Sequence, residues 1–409
     1  MNTTGEPRKR HKVLRVITDL IVVVVCGVTF PFAALGFLLT MVPGRFVGAR
    51  DFAVFWATGQ QLAHHANPYD GEALLRIESA AGLGGRHVAM YMRNPPWGLP
   101  LVYPLGWLGL WAASIVWSLL LLACLAASVH MLWVMYGRPR NQRHWLGYSF
   151  GPAIVCMIIG QTSLFALLGL VLFLRFHRTR PFLAGVFLWP CALKPHLFLP
   201  FALALIAWVV VSRSYKVLIG AGAAIAASIA IALLIDQQAL IQYAHMIRTS
   251  GIESDFIPCV SVILRKWISA KTVWIQYVPS GLACIWAGAY YWKRRSNWDW
   301  MRDGSLLMVV SLLTAPYSWI YDACILIPAL LYGAYVTRSR NVLLTLAFLS
   351  ALVEVALALD VLRPAAVFLW TLWTAPAWFV WYLVATRNKG RQADQIRGAS
   401  EIAEAAYRQ

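Results

Sequence analysis

The chain has 409 residues, of which 60% are hydrophobic and 13% charged, and its mean hydropathy is +0.63. Soluble domains carry about 25% charged residues, so this composition excludes a soluble globular protein and predicts an integral membrane protein. The net charge of +18 would suggest a nucleic-acid partner in a soluble protein. Here it is interpreted as a topology signal, because Lys and Arg concentrate in cytoplasmic loops. No nucleic-acid partner is predicted.

Apolar runs recur along the chain, and they must form helices because lipid cannot satisfy exposed backbone groups. We predict an all-α polytopic bundle of about twelve transmembrane helices. Several spans are shorter than the roughly 20 residues that cross a bilayer, and we expect breaks at Gly160, Lys194-Pro195 or Pro316. The predicted spans are 16–40, 107–135, 147–159, 161–176, 181–193, 196–211, 217–235, 280–293, 304–317, 320–337, 341–360 and 365–385.

The distribution of charge sets the predicted orientation of this single membrane domain, 1–409. With both termini in the cytoplasm, most of the 35 Lys and Arg residues fall in inner segments, as the positive-inside rule requires. Two long segments then lie outside, at 42–106 and 236–279, and 386–409 forms a cytoplasmic tail.

The two outer segments contain amphipathic sequences. Residues 52–62 carry apolar side chains at helical spacing, and the segments LIQYAHMI and SVILRKWI show the same pattern. We expect these helices to lie at the lipid surface. Of the seven cysteines, only Cys259 falls in an extramembrane loop, so the sequence predicts neither a disulfide framework nor a metal site.

The predicted topology brings a set of polar side chains to the outer side of the bundle. Ionisable groups at membrane depth are costly and therefore become functional candidates. The set consists of Asp51, Asp70, Arg93, Gln161, Lys194, His196 and Asp322.

Asp51 directly precedes the first amphipathic helix, which leaves two interpretations open. Its carboxylate can cap the helix by accepting backbone N–H bonds, or it can act as a general base. The two roles are compatible, because a carboxylate held at a helix N-terminus is fixed in place.

Each of the other candidates also has a structural alternative. Lys194 either snorkels at a helix end or binds a phosphate as a point charge, with His196 or Arg93 adding donors. His196 can instead pack, and Arg93 can anchor the chain at the interface. Gln161 can cap a helix or bind a sugar hydroxyl, while Ser318, Tyr321 and Asp322 form either an internal hydrogen-bond cluster or part of a sugar or acceptor site.

Other chemical templates are missing from the sequence. It contains no Walker A loop, no HExxH, no GxSxG and no GxGxxG following a strand. A nucleotide-driven enzyme, a metalloprotease and a serine hydrolase therefore have no support.

Five stretches occur in an order that resembles glycosyltransferase family 87, a family of bacterial GT-C membrane enzymes that use polyprenyl-phosphate sugars. They are DFAVFWATGQQLAHHANPYD, RNPPWGLPLVYPL, GQTSLFALLGLVLFL, LAGVFLWPCALKPHLFLPFAL and APYSWIYD. The resemblance implies a GT-C-like fold with Asp51 as the catalytic base and Lys194 at the Lys-Pro position of the family. Tyr321-Asp322 falls where many members carry a His.

The resulting prediction is an inverting glycosyltransferase of the bacterial inner membrane with an extracytoplasmic active site. It moves a hexose, with mannose favoured by the resemblance, from a polyprenyl-phosphate donor to a lipid or glycolipid acceptor. No cofactor and no metal are predicted. The donor phosphate contacts are Arg93, Lys194 and His196, and the sugar or acceptor contacts are Tyr69, Asp70, Gln161, Ser318, Trp319, Tyr321 and Asp322.

Two other classes of protein remain open at this stage. A secondary transporter or lipid flippase would carry an inverted repeat with paired broken helices, and none is evident in the sequence. A non-catalytic membrane scaffold would not require ionisable groups clustered on one side of the bundle.

Overall fold

A computed structural model describes residues 51–83, 90–251, 256–362 and 371–387. All regular secondary structure in these ranges is helical, in agreement with the predicted all-α class. The predicted first span at 16–40, the start of the last span and the tail after Arg387 lie outside the described residues.

The first half of the described chain alternates long helices with short ones. Its α-helices are α1 (Phe52–Ala63), α2 (Gly71–Ala80), α3 (Leu99–Val102), α4 (Leu110–Met135), α5 (Trp145–Tyr148), α6 (Gly151–Ile159), α7 (Ser163–Phe176), α8 (Pro181–Val186), α9 (Leu199–Ser212), α10 (Lys216–Ile235) and α11 (Ala239–Thr249). Short 3₁₀ helices occupy Pro96–Gly98, Tyr103–Trp107, Gln142–His144, Trp189–Leu193 and Pro195–Leu197.

The second half continues in the same way. Its α-helices are α12 (Val260–Ser269), α13 (Val278–Arg294), α14 (Ser305–Leu313), α15 (Ile327–Val336), α16 (Arg340–Leu362) and α17 (Thr374–Thr386). The 3₁₀ helices are Val273–Tyr277, Arg295–Asn297 and Ile320–Leu326, and Trp300–Gly304 is a π-helical turn.

The three predicted breaks are confirmed. Helix α6 ends at Gly160, which takes a left-handed conformation with φ of 81°, and α7 begins at Ser163. Lys194 separates two 3₁₀ helices and Pro195 starts the second of them, because proline suits the first position of a helix but not its interior. Around Pro316 the chain is non-helical between α14 and Ile320.

Apolar side chains on the outside of the bundle fit an α-helical membrane protein. Among the described helices, α4 and α10 are long and apolar enough to cross a bilayer. On α10, Ile219 and Leu234 are 60% and 86% exposed. Exposed aliphatic surface is unfavourable in water and compatible with lipid, so α10 is not the buried core helix of a soluble protein. The predicted number of twelve spans stays a prediction.

Helix α1 corrects the expectation that residues 52–62 lie at the lipid surface. Ten of its twelve residues are buried, and Phe52 and Phe55 pack their rings on Trp117 of α4. The reason is a close approach to the 3₁₀ turn Tyr103–Trp107. The amphipathic segments of the second outer region do form helices, α11 and α12, and α12 exposes Trp267 while burying Val262.

Two glycines permit the close approach of α1 to that turn. A Cβ added to Gly106 would overlap the carbonyl oxygen of Gly59, and one added to Gly59 would meet Gly106 in return. Gln60 Nε2 donates to the Gly106 carbonyl at 2.8 Å, and Trp56 Nε1 donates to the Leu108 carbonyl at 3.0 Å. This contact fixes the position of α1 and therefore of Asp51 at its start.

We expect Gly106→Ala to lower the free energy of unfolding by about 1–3 kcal/mol, because the added methyl group meets backbone that cannot move aside. Thermal unfolding in detergent measures the effect. Gly109→Ala, three residues later in the same connection, is the control, since a Cβ there meets no atom within 4 Å. Equal stability of the two variants would contradict this account of the packing.

Candidate active site

A cavity of about 480 Å³ lies between the broken helices, and polar groups are set in its largely apolar lining. Its wall combines charged or amide side chains with aromatic rings. The polar members are Asp51, Arg93, Asn94, Gln161, Lys194, His196 and Asp322, and the aromatic members are Phe55, Tyr91, Tyr243, Tyr317, Trp319, Tyr321. Six of the seven candidates singled out in the sequence therefore line one cavity, and Asp70 does not.

Asp51 stands at the start of α1 but does not cap it. Its side chain makes no capping bond to the helix, in contrast to one of the two roles expected for it. The carboxylate instead accepts a hydrogen bond of 2.6 Å from Nε2 of Gln161, with its Oδ2 as the acceptor. The backbone of Asp51 is itself already helical, with φ of −65° and ψ of −20°, whereas a capping residue normally has an extended backbone.

The capping role belongs to Asp70. Its Oδ1 accepts from the backbone N–H groups of Glu72 and Ala73 at the start of α2, and it is absent from the cavity wall. Tyr69 is also outside the wall: its hydroxyl donates to the Asn94 carbonyl at 3.3 Å. Neither of these two predicted sugar or acceptor contacts lines the cavity.

Lys194 and Asp322 form an ion pair of 2.7 Å at the cavity wall. Ser163 joins the pair, since its hydroxyl donates to Asp322 Oδ1 at 2.6 Å and accepts from Lys194 Nζ at 3.0 Å. The second oxygen of Asp322 accepts from the backbone N–H of Trp319 at 2.9 Å. The charge of Lys194 is therefore balanced inside the protein, and Asp322 is bound by three donors.

An ammonium group has three N–H donors, and two of those on Lys194 are used by Asp322 and Ser163. Its nitrogen also lies 4.7 Å from the ring centre of Tyr321. Arg93 contributes the other positive charge of the wall, and its side chain is exposed. The cavity wall thus holds two cations, Lys194 and Arg93, and Lys194 is paired with Asp322.

His196 packs its ring on Tyr317, with ring centres 3.7 Å apart and an angle of 25° between the planes. Its Nε2 is buried without a hydrogen-bond partner. Trp319 and Tyr321 lie nearly parallel, with ring centres 6.2 Å apart. Ser318 is buried and absent from the wall. Flat aromatic faces beside polar groups are suited to binding a ring that has both apolar and polar edges.

Sequence reasoning missed Ser163, Asn94 and Tyr317. Ser163 lies two residues beyond Gln161, at the start of a long apolar run. A polar residue at this position could have indicated that Ser163 belongs to the site. Asn94 donates to the Leu193 carbonyl at 3.2 Å and so ties the Arg93 segment to Lys194, a contact without any local signal in the sequence. The described residues contain no group of three or more His, Cys, Asp or Glu side chains that could hold a metal ion.

The described residues form an all-helical bundle with exposed apolar helices. Its aromatic cavity holds two carboxylates and two cations. This architecture is that of a membrane-embedded enzyme or transporter. The sequence model of glycosyltransferase family 87 matches residues 91–316, which is more than half of the chain. The chain therefore belongs to glycosyltransferase family 87, whose members are membrane glycosyltransferases. It acts on a sugar donor and an acceptor.

The matched segment contains Arg93, Gln161 and Lys194, while Asp51 and Asp322 lie outside it. No curated protein and no solved structure is significantly similar to the chain. The roles of the cavity residues are therefore assigned from their geometry and chemistry and not from a characterised relative.

Removing one partner of the Lys194–Asp322 pair should be more damaging than removing both. Lys194→Met leaves a buried carboxylate without its counter-ion, and we expect a loss of about 3–5 kcal/mol in the free energy of unfolding. The double variant Lys194→Met with Asp322→Asn removes both charges and should recover most of that loss. Thermal unfolding of the two variants in detergent is the measurement, and a double variant no more stable than Lys194→Met would refute the pairing argument.

Proposed function

We propose that this glycosyltransferase is an inverting enzyme that transfers a hexose from a polyprenyl-phosphate donor to a hydroxyl of a lipid or glycolipid acceptor. Asp51 is the general base. The reaction takes place at the extracytoplasmic face of the bacterial inner membrane, in a multi-pass protein with both termini in the cytoplasm. Mannose is the favoured sugar by resemblance to the family.

One observation carries the proposal. Asp51 lines the same cavity as Lys194 and Arg93. Asp51 lies at the start of α1, whereas Lys194 lies between two 3₁₀ helices far along the chain. A transferase of this class needs a proton acceptor at one end of the reacting centre and positive charge at the other. The cavity offers both.

The chemistry needs only one carboxylate to move a proton. The acceptor oxygen attacks the anomeric carbon while its proton passes to the Asp51 carboxylate, and the bond from the anomeric carbon to the phosphate oxygen breaks. Polyprenyl phosphate leaves as an anion and requires no acid, whereas a glycosidase needs a second carboxyl group to protonate its leaving alcohol. A single displacement of this kind inverts the anomeric centre.

The positive groups have separate tasks under this proposal. Arg93 is an exposed residue of the cavity wall; it binds the donor phosphate and stabilises the negative charge that grows on it as the bond breaks. Lys194 is paired with Asp322 and adds its remaining donor. His196 lines the same wall and stays a proposed contact of the donor phosphate, while Trp319 and Tyr321 offer flat faces to the sugar.

Asp322 cannot take the place of Asp51 as the base. Its two oxygens already accept from Lys194, Ser163 and the Trp319 backbone, and it is 1% exposed. Both oxygens are therefore occupied by donors of the protein itself, which leaves the side chain closed to the hydroxyl of an acceptor. This assignment leaves Asp322 to hold Lys194 in place.

We expect Asp51→Asn to reduce kcat by about 10²–10⁴-fold with little change in stability, because an amide cannot accept the proton. Purified protein should be assayed for transfer with a panel of prenyl-phosphate sugars.

Asp70→Asn is the matched control for that variant. It is the same chemical change in the same outer region, and asparagine caps helices as well as aspartate does, so both folding and transfer should survive. Full activity of Asp51→Asn, or an equal loss in Asp70→Asn, would refute the role of Asp51.

Arg93→Gln should raise the KM for the donor about 10- to 100-fold, because one hydrogen bond between charged groups is lost. The KM for the acceptor should stay close to its original value. Arg76→Gln on α2 is the control, since Arg76 is exposed and absent from the cavity wall. An unchanged donor KM in Arg93→Gln would remove Arg93 from the phosphate site.

A further inference from the structure

We propose that Gln161 is a positioning residue that orients the Asp51 carboxylate for proton transfer, and that it is not a contact for the sugar or acceptor. This inference rests on the proposed function, because it assigns Gln161 a task only if Asp51 is the base. Its basis is the 2.6 Å hydrogen bond from Gln161 Nε2 to Asp51 Oδ2 and the way in which Gln161 is itself held.

The backbone of Gln161 is anchored at the break between α6 and α7. Its N–H donates to the Cys156 carbonyl at 3.0 Å, and its own carbonyl accepts from the Cys156 thiol at 3.3 Å. The preceding Gly160 has the left-handed backbone that ends α6, and the Gly160 carbonyl accepts from the Trp117 indole at 2.7 Å. Trp117 is fully buried, so the loop is tied to the core of the bundle.

The orientation of the Gln161 amide is also determined. Its Oε1 accepts from the backbone N–H of Thr162, at 3.4 Å, which turns the NH₂ group toward Asp51. With the opposite orientation, the amide oxygen would face the carboxylate, and two acceptors would repel each other. Gln161 is 9% exposed, so this donor reaches Asp51 with little competition from water.

Helix α1, which follows Asp51, does not orient the Asp51 carboxylate. The Asp51 side chain makes no capping bond to α1, so its own helix does not set the direction of the carboxylate. Gln161 is 110 residues away in sequence and supplies that constraint from the break between α6 and α7. A hydrogen-bond donor also favours the ionised form of a carboxylate, which is the form that accepts a proton.

Other charged groups, Arg93, Lys194 and Asp322, line the same cavity as Asp51. The charges of both Asp51 and Asp322 act on Tyr321 in the 320–326 helix, and Arg93 acts on it from the segment before Pro95. The negative charge of Asp322 is balanced by Lys194. None of these groups changes when Gln161 is replaced, so the effect of the replacement on Asp51 can be isolated.

The test is Gln161→Leu in the full-length enzyme, with kcat, both KM values and the pH profile of kcat/KM measured. We expect kcat to fall about 10- to 100-fold, the value of one hydrogen bond to a charged group, with both KM values nearly unchanged. The acid limb of the profile should move to higher pH, because a donor that stabilises the ionised carboxylate is lost. Gln161→Glu should move it further, since a second carboxylate repels the first.

Gln60→Leu is the matched control. It is the same substitution and also removes an amide hydrogen bond to another part of the fold. Its partner is the Gly106 carbonyl, so it affects Asp51 only through the placement of α1 and does not touch the carboxylate. Its acid limb should stay in place even if its stability falls. A displacement of equal size in Gln60→Leu would overturn the inference, and so would an unchanged profile with a raised acceptor KM in Gln161→Leu.

Gln161→Glu keeps the size of the side chain and decides the question if Gln161→Leu does not fold. An unmoved acid limb in that variant overturns the inference. Failure of this inference is distinguishable from failure of the proposed function. If Asp51→Asn is active, Asp51 is not the base and the proposed function fails. If Asp51→Asn is inactive but the pH profiles of the position-161 variants do not move, only the role of Gln161 fails.

Discussion

The pairing of Lys194 with Asp322 is the interaction on which the cavity depends. Two opposite charges within an apolar bundle are tolerated only if they meet, because each alone would have to be removed from water without compensation. Their meeting brings together the break at Lys194-Pro195, the segment after Pro316 and, through Ser163, the start of α7. Three parts of the chain that are distant in sequence are thereby held together at one cluster of side chains.

The helix breaks make this arrangement possible. A continuous helix satisfies its own backbone and leaves its side chains to face lipid or neighbouring helices, whereas a broken one exposes backbone groups that need partners. Here those partners are internal: the Gly160 carbonyl accepts from Trp117, and the Trp319 N–H donates to Asp322. Residues at the breaks, among them Gln161, Lys194 and Tyr317, line the cavity.

The approach of Gly59 to Gly106 has a comparable role on the other wall. It allows α1 to pack inside the bundle, where Phe52 and Phe55 contact Trp117. Asp51 directly precedes α1, so the packing of this helix also positions Asp51. The same tryptophan holds the Gly160 loop, so one core residue supports both Asp51 and the Gln161 that binds it. The two walls of the site therefore share a common support.

Composition and pattern alone determined the class of this protein: apolar runs that can only be helices, breaks at Gly160, Lys194-Pro195 and Pro316, and a set of polar candidates of which six share a cavity. They could not determine which aspartate caps a helix. Asp51 and Asp70 both precede helices, and only the packed structure distinguishes them, because Asp70 has an extended backbone that points its oxygen at the α2 amides while Asp51 is drawn to Gln161. The partners of Lys194 and the burial of α1 were likewise decided by tertiary contacts, since an ion pair across 128 residues and a glycine-to-glycine approach leave no periodic trace in the sequence.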